Sequence, residues 1–127
     1  MKEAVRTEGA PAPIGPYSQG IVSGKFLFVS GQLPKKPGAA DPPPDFRAQA
    51  AQCFENVKAI VTAAGATMAD VVKVNAYLAD LGNFPAFNEV YATYFTAPFP
   101  ARTTLGGVVL PGGAVQVEVE VIVALPR

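Results

Sequence analysis

The chain has 127 residues, half of them hydrophobic and 16% charged, which suits one globular domain with a real core rather than a disordered segment. Ten basic residues balance ten acidic ones, so the basic footprint that phosphate backbones demand is missing and nucleic acid is a poor candidate ligand. The absence of histidine and the single cysteine exclude Cys/His zinc sites, intrachain disulfides and histidine acid–base catalysis, leaving carboxylates, arginine, hydroxyls, backbone amides and water.

A short strand is expected over residues 4–7, then a Gly/Ala/Pro stretch from Gly9 to Pro16. Gln19 to Val22 and Lys25 to Ser30 read as a hairpin turning at Ser23-Gly24. The prolines between Pro34 and Pro44 forbid helix interior and central strand, so this is an ordered surface loop. Asp45 is a good N-cap, and Phe46, Ala50, Cys53, Phe54, Val57, Ile60, Val61 and Ala64 keep helical spacing up to Gly65, a C′ stop. On that stripe Cys53 is a small buried hydrophobe.

Val71 to Leu78 is the next strand, and Asn83 caps a second helix whose face carries Phe84, Phe87, Val90, Tyr91 and Tyr94. Strands over residues 101–110 and 115–125 follow, joined at Pro111-Gly112-Gly113 as a hairpin. The order predicts an α+β domain over residues 1–127, a mixed sheet with two helices packed on one face. The uncovered face of Val- and Leu-rich strands then asks for a partner, and a homo-oligomer joined through the sheet is the natural solution. No run of 18 apolar residues occurs, and no apolar core follows Met1-Lys2-Glu3, so a cytoplasmic protein without membrane contact is expected.

The last strand alternates Val115, Val117, Val119, Val121 and Val123 on one side with Gln116, Glu118, Glu120, Ile122 and Ala124 on the other. Two carboxylates on a face ending in Ile and Ala need a reason, because unpaired charge is costly where water is scarce. Upstream, Arg102 opens another strand, with a guanidinium that matches a carboxylate through two parallel hydrogen bonds. In the expected hairpin Arg102 pairs near residues 122–124, on the order of 14–20 Å from Glu118. Either Gly106-Gly107 bends the strand sharply, or Arg102 of one chain meets Glu118 of another; the second is favoured.

Other candidates are Tyr17 after Gly15-Pro16, Ser30 and Gly31 at a strand end, and Asn88 on the second helix. Each also has a plain alternative: a packed turn residue, strand-to-loop punctuation, a solvent-facing amide. Arg102 and Glu118 likewise suit a structural ion pair.

Taken together, Gly15-Pro16-Tyr17-Ser18-Gln19, Val29-Ser30-Gly31-Gln32, Glu55 to Ile60 before Ala63-Ala64-Gly65, Phe87-Asn88-Glu89-Val90-Tyr91, Pro100-Ala101-Arg102-Thr103 and Val117-Glu118-Val119-Glu120 resemble the RidA (YjgF-type) family of reactive-intermediate deaminases. The resemblance covers almost the whole chain, in order and with similar spacing. It implies a chorismate-mutase-like fold, a homotrimer with sites in clefts between subunits, and hydrolysis of 2-imino acids (2-iminobutanoate, 2-iminopropanoate) to 2-keto acids and ammonia. No metal or organic cofactor is implied.

Carried over by position, Arg102 clamps the substrate carboxylate and Glu118 orients the attacking water and handles protons. Tyr17, Ser30, the Gly31 amide and Asn88 line the pocket. Thr104 stands where the family often has Cys, which implies some change in pocket polarity. Two rivals remain: a non-catalytic small-carboxylate binder on the same scaffold, and a chaperone or ribonuclease, which zero net charge and the lack of histidine disfavour.

Overall fold

The computed structural model describes residues 1–126. Six strands form one sheet: β1 (Lys2–Val5), β2 (Gly20–Ser23), β3 (Phe26–Gln32), β4 (Val71–Leu78), β5 (Ala101–Leu105) and β6 (Val117–Ala124), in the spatial order β1-β2-β3-β6-β4-β5. All pairs are antiparallel except β4 with β5. Helices α1 (Phe46–Ala63) and α2 (Phe84–Tyr94) complete the expected α+β arrangement.

Helix α1 forms where its signals stand. Asp45 accepts from the Ala48 amide at 2.9 Å, and Gly65 takes φ +84°, a conformation open to a residue without Cβ. Its stripe of Ala50, Cys53, Phe54, Val57, Ile60 and Val61 is fully buried against Val117, Val119, Val121 and Val123 of β6. Alternation therefore turns Glu118, Glu120 and Ile122 to the opposite, open face. Phe26, Phe28 and Leu105 lie half exposed, in register with the open face of β6 and β4.

Three buried amides tie the loops to this core. Gln19 donates to the carbonyls of Thr7, Ala10 and Pro11; Asn56 donates to those of Leu33 and Lys35; Gln49 donates to Pro43 and Ala114 and accepts from the Gln116 amide. Each satisfies backbone groups that helix and sheet leave unpaired.

The expected closing hairpin does not form. Strand β5 stops at Leu105 and pairs in parallel with β4, so that Arg102 lies beside Val74 rather than residues 122–124. Strand β6 instead slots between β3 and β4. The reason is connection chemistry: β4 and β5 flank α2, and a strand–helix–strand crossover places its strands parallel. Past Leu105 the chain turns away at Gly107 (φ +69°), while Gly106 lies so close to Leu81 that a Cβ there would stand 2.5 Å from the leucine Cβ. A smaller correction concerns Asn83, which precedes α2 without a side-chain cap; Asp80, accepting from the Gly82 amide, fixes the turn instead.

Candidate active site

The sequence-derived residues fall into two groups on opposite faces of the sheet. On the helix side, Val74 and Ala76 of β4 are core residues, and their neighbours Arg102 and Thr104 on β5 share that face. Helix α2 runs over them. The Arg102 guanidinium lies 4.6 Å from the Tyr91 ring centre, 5.4 Å from Phe87 and 5.5 Å from Phe84, and it donates to Asn88 Oδ1 at 2.7 Å. Three aromatic faces and one amide oxygen thus fix the cation while four of its five N–H donors stay clear of that bond.

Tyr91 and Phe87 entered the sequence reading only as an apolar helix face. Their spacing with Phe84, three and four residues apart on the side that also bears Asn88, was the available signal. Arg102, Asn88, Tyr91, Ala92, Phe99 and Pro100 line a depression of about 320 Å³. The buried Tyr91 hydroxyl makes no hydrogen bond among the described residues, and burial raises its phenol above the ordinary value against the opposing pull of Arg102.

The open face holds the second group. Glu118 and Glu120 form a crevice of about 420 Å³ with Tyr17, Ser30 and Gly31, walled by Ile14, Leu33 and Pro111. Those walls belong to the three loops that Gln19, Asn56 and Gln49 anchor. Tyr17 Oη accepts from the Ile14 amide at 3.3 Å, and Ser30 Oγ donates to the Ser18 carbonyl at 2.6 Å. The Glu118 carboxyl packs onto Gly31: a Cβ at that glycine would lie 2.9 Å from Glu118 Cδ. Only glycine admits the acid there.

Burial, then the neighbouring charge of Glu120, raises the Glu118 carboxyl above its ordinary value of 4.5. Glu120 itself accepts a hydrogen bond from the Tyr77 hydroxyl, and this bond, with burial and the two acids, pushes the phenol up to about 12. The two strand glutamates therefore differ: Glu120 is held by a side chain from β4, whereas no protein hydrogen bond to Glu118 is recorded among the described residues.

Glu118 lies beside Tyr77, which lies beside Leu105, so Arg102 is two strands across and three residues along, on the order of 14 Å away and on the other face. Neither the arginine's reach nor the strand's bend closes that gap within one chain. Among the described residues no cluster of His, Cys, Asp and Glu could hold a metal ion, and no helix is long and apolar enough to cross a membrane.

The family model described as Endoribonuclease L-PSP matches residues 7–125. A RutC family protein of Pyrococcus horikoshii is 47% identical over 96% of this chain and 97% of its own length. The 2-iminobutanoate/2-iminopropanoate deaminase of Escherichia coli K12 is 43% identical over 96% and 97%. Among solved structures, that of Escherichia coli TdcF with bound serine superposes with a TM-score of 0.92 at 38% identity, covering 98% of this chain and 99% of that one. Match length, identity and shared architecture together place the chain in the Endoribonuclease L-PSP family, the RidA (YjgF-type) family whose motifs it carries.

Proposed function

We propose that this protein hydrolyses 2-imino acids, such as 2-iminobutanoate and 2-iminopropanoate, to 2-keto acids and ammonia. The site is a cleft in a homotrimer where Arg102 of one protomer faces Glu118 of the next. The observation that carries this reading is the split itself. One face presents a rigidly held guanidinium and the other a half-buried carboxyl of raised pKa, and neither half is complete alone. Exposed Phe26, Phe28 and Leu105 give the open face the apolar surface that a subunit contact buries. The name of the Escherichia coli relative and the serine bound to TdcF support a small amino- or imino-acid ligand.

In this mechanism Arg102 grips the substrate carboxylate with two parallel hydrogen bonds and so places the C=N carbon in the cleft. Glu118, as the carboxylate, takes a proton from a water that adds to that carbon. The substrate enters as the protonated iminium, and the carbinolamine nitrogen takes the proton back from Glu118 to become an ammonium leaving group. The C–N bond breaks to release ammonia, and the carbinolamine hydroxyl gives its proton to the Glu118 carboxylate as the carbonyl forms. Tyr17, Ser30, the Gly31 amide, Asn88 and Thr104 complete the lining. An imine carbon is already electrophilic, so positioning and one proton shuttle are sufficient chemistry without histidine.

The test generates 2-iminobutanoate in place and follows ammonia and keto-acid release. The wild-type chain accelerates hydrolysis and Arg102→Ala does not, while its oligomeric state is unchanged. A variant as fast as wild type refutes the clamp. A chain that binds 2-keto acids without speeding hydrolysis is a carboxylate binder instead.

A further inference from the structure

We infer that the depression beside Arg102 is a side-chain subsite, and that the protein favours 2-imino acids with large apolar or aromatic side chains over 2-iminopropanoate. The inference rests on the imine-hydrolase reading and adds the substrate class. Arg102 is part of the lining, so a carboxylate on the guanidinium sits at the rim, with C2 and its substituents one bond further on. The remaining walls beyond Asn88 are Tyr91, Ala92, Phe99 and Pro100, without a charge among them. Phe99 is 56% exposed in the single chain, a large aromatic side chain immediately beside a cation site.

The volume points the same way. About 320 Å³ reaches the range of pockets that take drug-sized ligands, roughly 300–1,000 Å³, and far exceeds what a methyl group fills. The Glu118 crevice has apolar walls too, at Ile14 and Leu33, but two carboxylates share it. That environment suits water and departing ammonia, and it disfavours a greasy substituent. With the carboxylate held at Arg102, the side chain therefore extends along Tyr91, Ala92 and Phe99, and the imine nitrogen points toward the neighbour's acid.

Each buried methylene is worth roughly a fourfold gain in affinity. Calorimetric titration of the full chain with pyruvate, 2-oxobutanoate, 4-methyl-2-oxopentanoate and phenylpyruvate, the products of the corresponding imines, reads the series directly. The expected order is rising affinity with apolar size, phenylpyruvate binding at least tenfold more tightly than pyruvate. Ala92→Phe fills the depression from the solvent side of α2 and collapses that ratio to within about threefold, whereas Leu33→Phe, in the other crevice, leaves the ratio standing.

A flat or falling series overturns the subsite, as does a ratio that responds to Leu33→Phe and not to Ala92→Phe. Parallel turnover of the four imines separates this from the parent reading. Hydrolysis without size preference sinks the subsite alone. Size-ranked keto-acid binding without hydrolysis of any imine sinks the hydrolase alone. Failure of every keto acid to bind sinks both.

Discussion

Arg102 and Glu118 lie on opposite faces of the same sheet, two strands apart, with β4 running between their strands. The separation follows from side-chain parity. Arg102 pairs with core-facing Val74, and Glu118 pairs with Tyr77, which faces out. A one-residue slip of β6 would bring the two groups to one face only by turning its valine row out of the core, so the burial of β6 enforces the split. What one chain keeps apart, a symmetric assembly can bring together, each protomer giving its helix-side arginine to a neighbour's open face.

The bed beneath Arg102 makes a kinetic prediction. Asn88 offers the guanidinium a neutral oxygen, so the cation is oriented but not neutralised. In Asn88→Asp that oxygen carries charge and competes with the substrate carboxylate for the same donors. The expected result is a KM for 2-iminobutanoate raised tenfold or more, with kcat changed much less. Asn88→Ala, which removes orientation without adding charge, lowers kcat as well. Equal kinetics in the two variants would show that Asn88 does not hold the arginine.

Gly31 makes the complementary prediction on the acid side. A Cβ there collides with the far end of Glu118, a flexible group, so the carboxyl swings aside and the strand does not break. Gly31→Ala therefore keeps its Tm within a few degrees of wild type. Its turnover falls by about 10²-fold, the typical effect of misplacing a catalytic group by around 1 Å. A stable, fully active Gly31→Ala protein would dissociate the Gly31–Glu118 contact from catalysis.

If Glu118 is the base of the proposed reaction, it sets the acid limb of the pH profile. Its carboxyl is raised by burial and by Glu120, so the base form is lost at a pH above the ordinary 4.5, and kcat/KM falls as the solution is acidified through that raised value. Glu120→Gln keeps an oxygen for Tyr77 and removes the like charge, which moves the limb to lower pH. Stability runs the other way. A group whose folded pKa is raised contributes fully below 4.5 and loses that contribution as pH rises through the folded value, so Glu118→Gln gains stability relative to wild type on going from pH 4 to 7. Thermal unfolding across that window measures the linkage. A limb unmoved by Glu120→Gln would assign it to another group.

Local signals made much of the fold legible. Asp45 and Gly65 bracketed α1, the bounds of β4 followed from its apolar run, and the valine alternation named the inner face of β6. The partner of β5 was not legible in the same way, because strand pairing is non-local and the glycine-rich segment 106–116 resembles a hairpin turn. The strand–helix–strand order held the answer, since a crossover through α2 makes β5 the parallel edge neighbour of β4. Nor did spacing reveal that Tyr77 satisfies Glu120. That contact runs diagonally between adjacent strands and exists only once β6 lies beside β4. Arg102 and Glu118 stood out from sequence as an arginine and an acid beyond each other's reach within one chain, and the parallel pairing of β5 keeps them apart.

Subunit mixing tests the shared cleft most directly. In the proposed homotrimer, Arg102→Ala and Glu118→Gln each lose one half of every site, so each variant alone is expected to be inactive. In trimers assembled at random from equal amounts of both, a site is whole when its arginine comes from an Glu118→Gln chain and its acid from an Arg102→Ala chain. That combination occurs in about a quarter of sites when each cleft draws its two halves from different protomers. Co-refolding the two variants therefore restores imine hydrolysis to roughly a quarter of the wild-type rate, and the double variant mixed with wild type adds nothing of its own. Zero recovery, with mixed trimers verified by mass, would overturn the shared cleft.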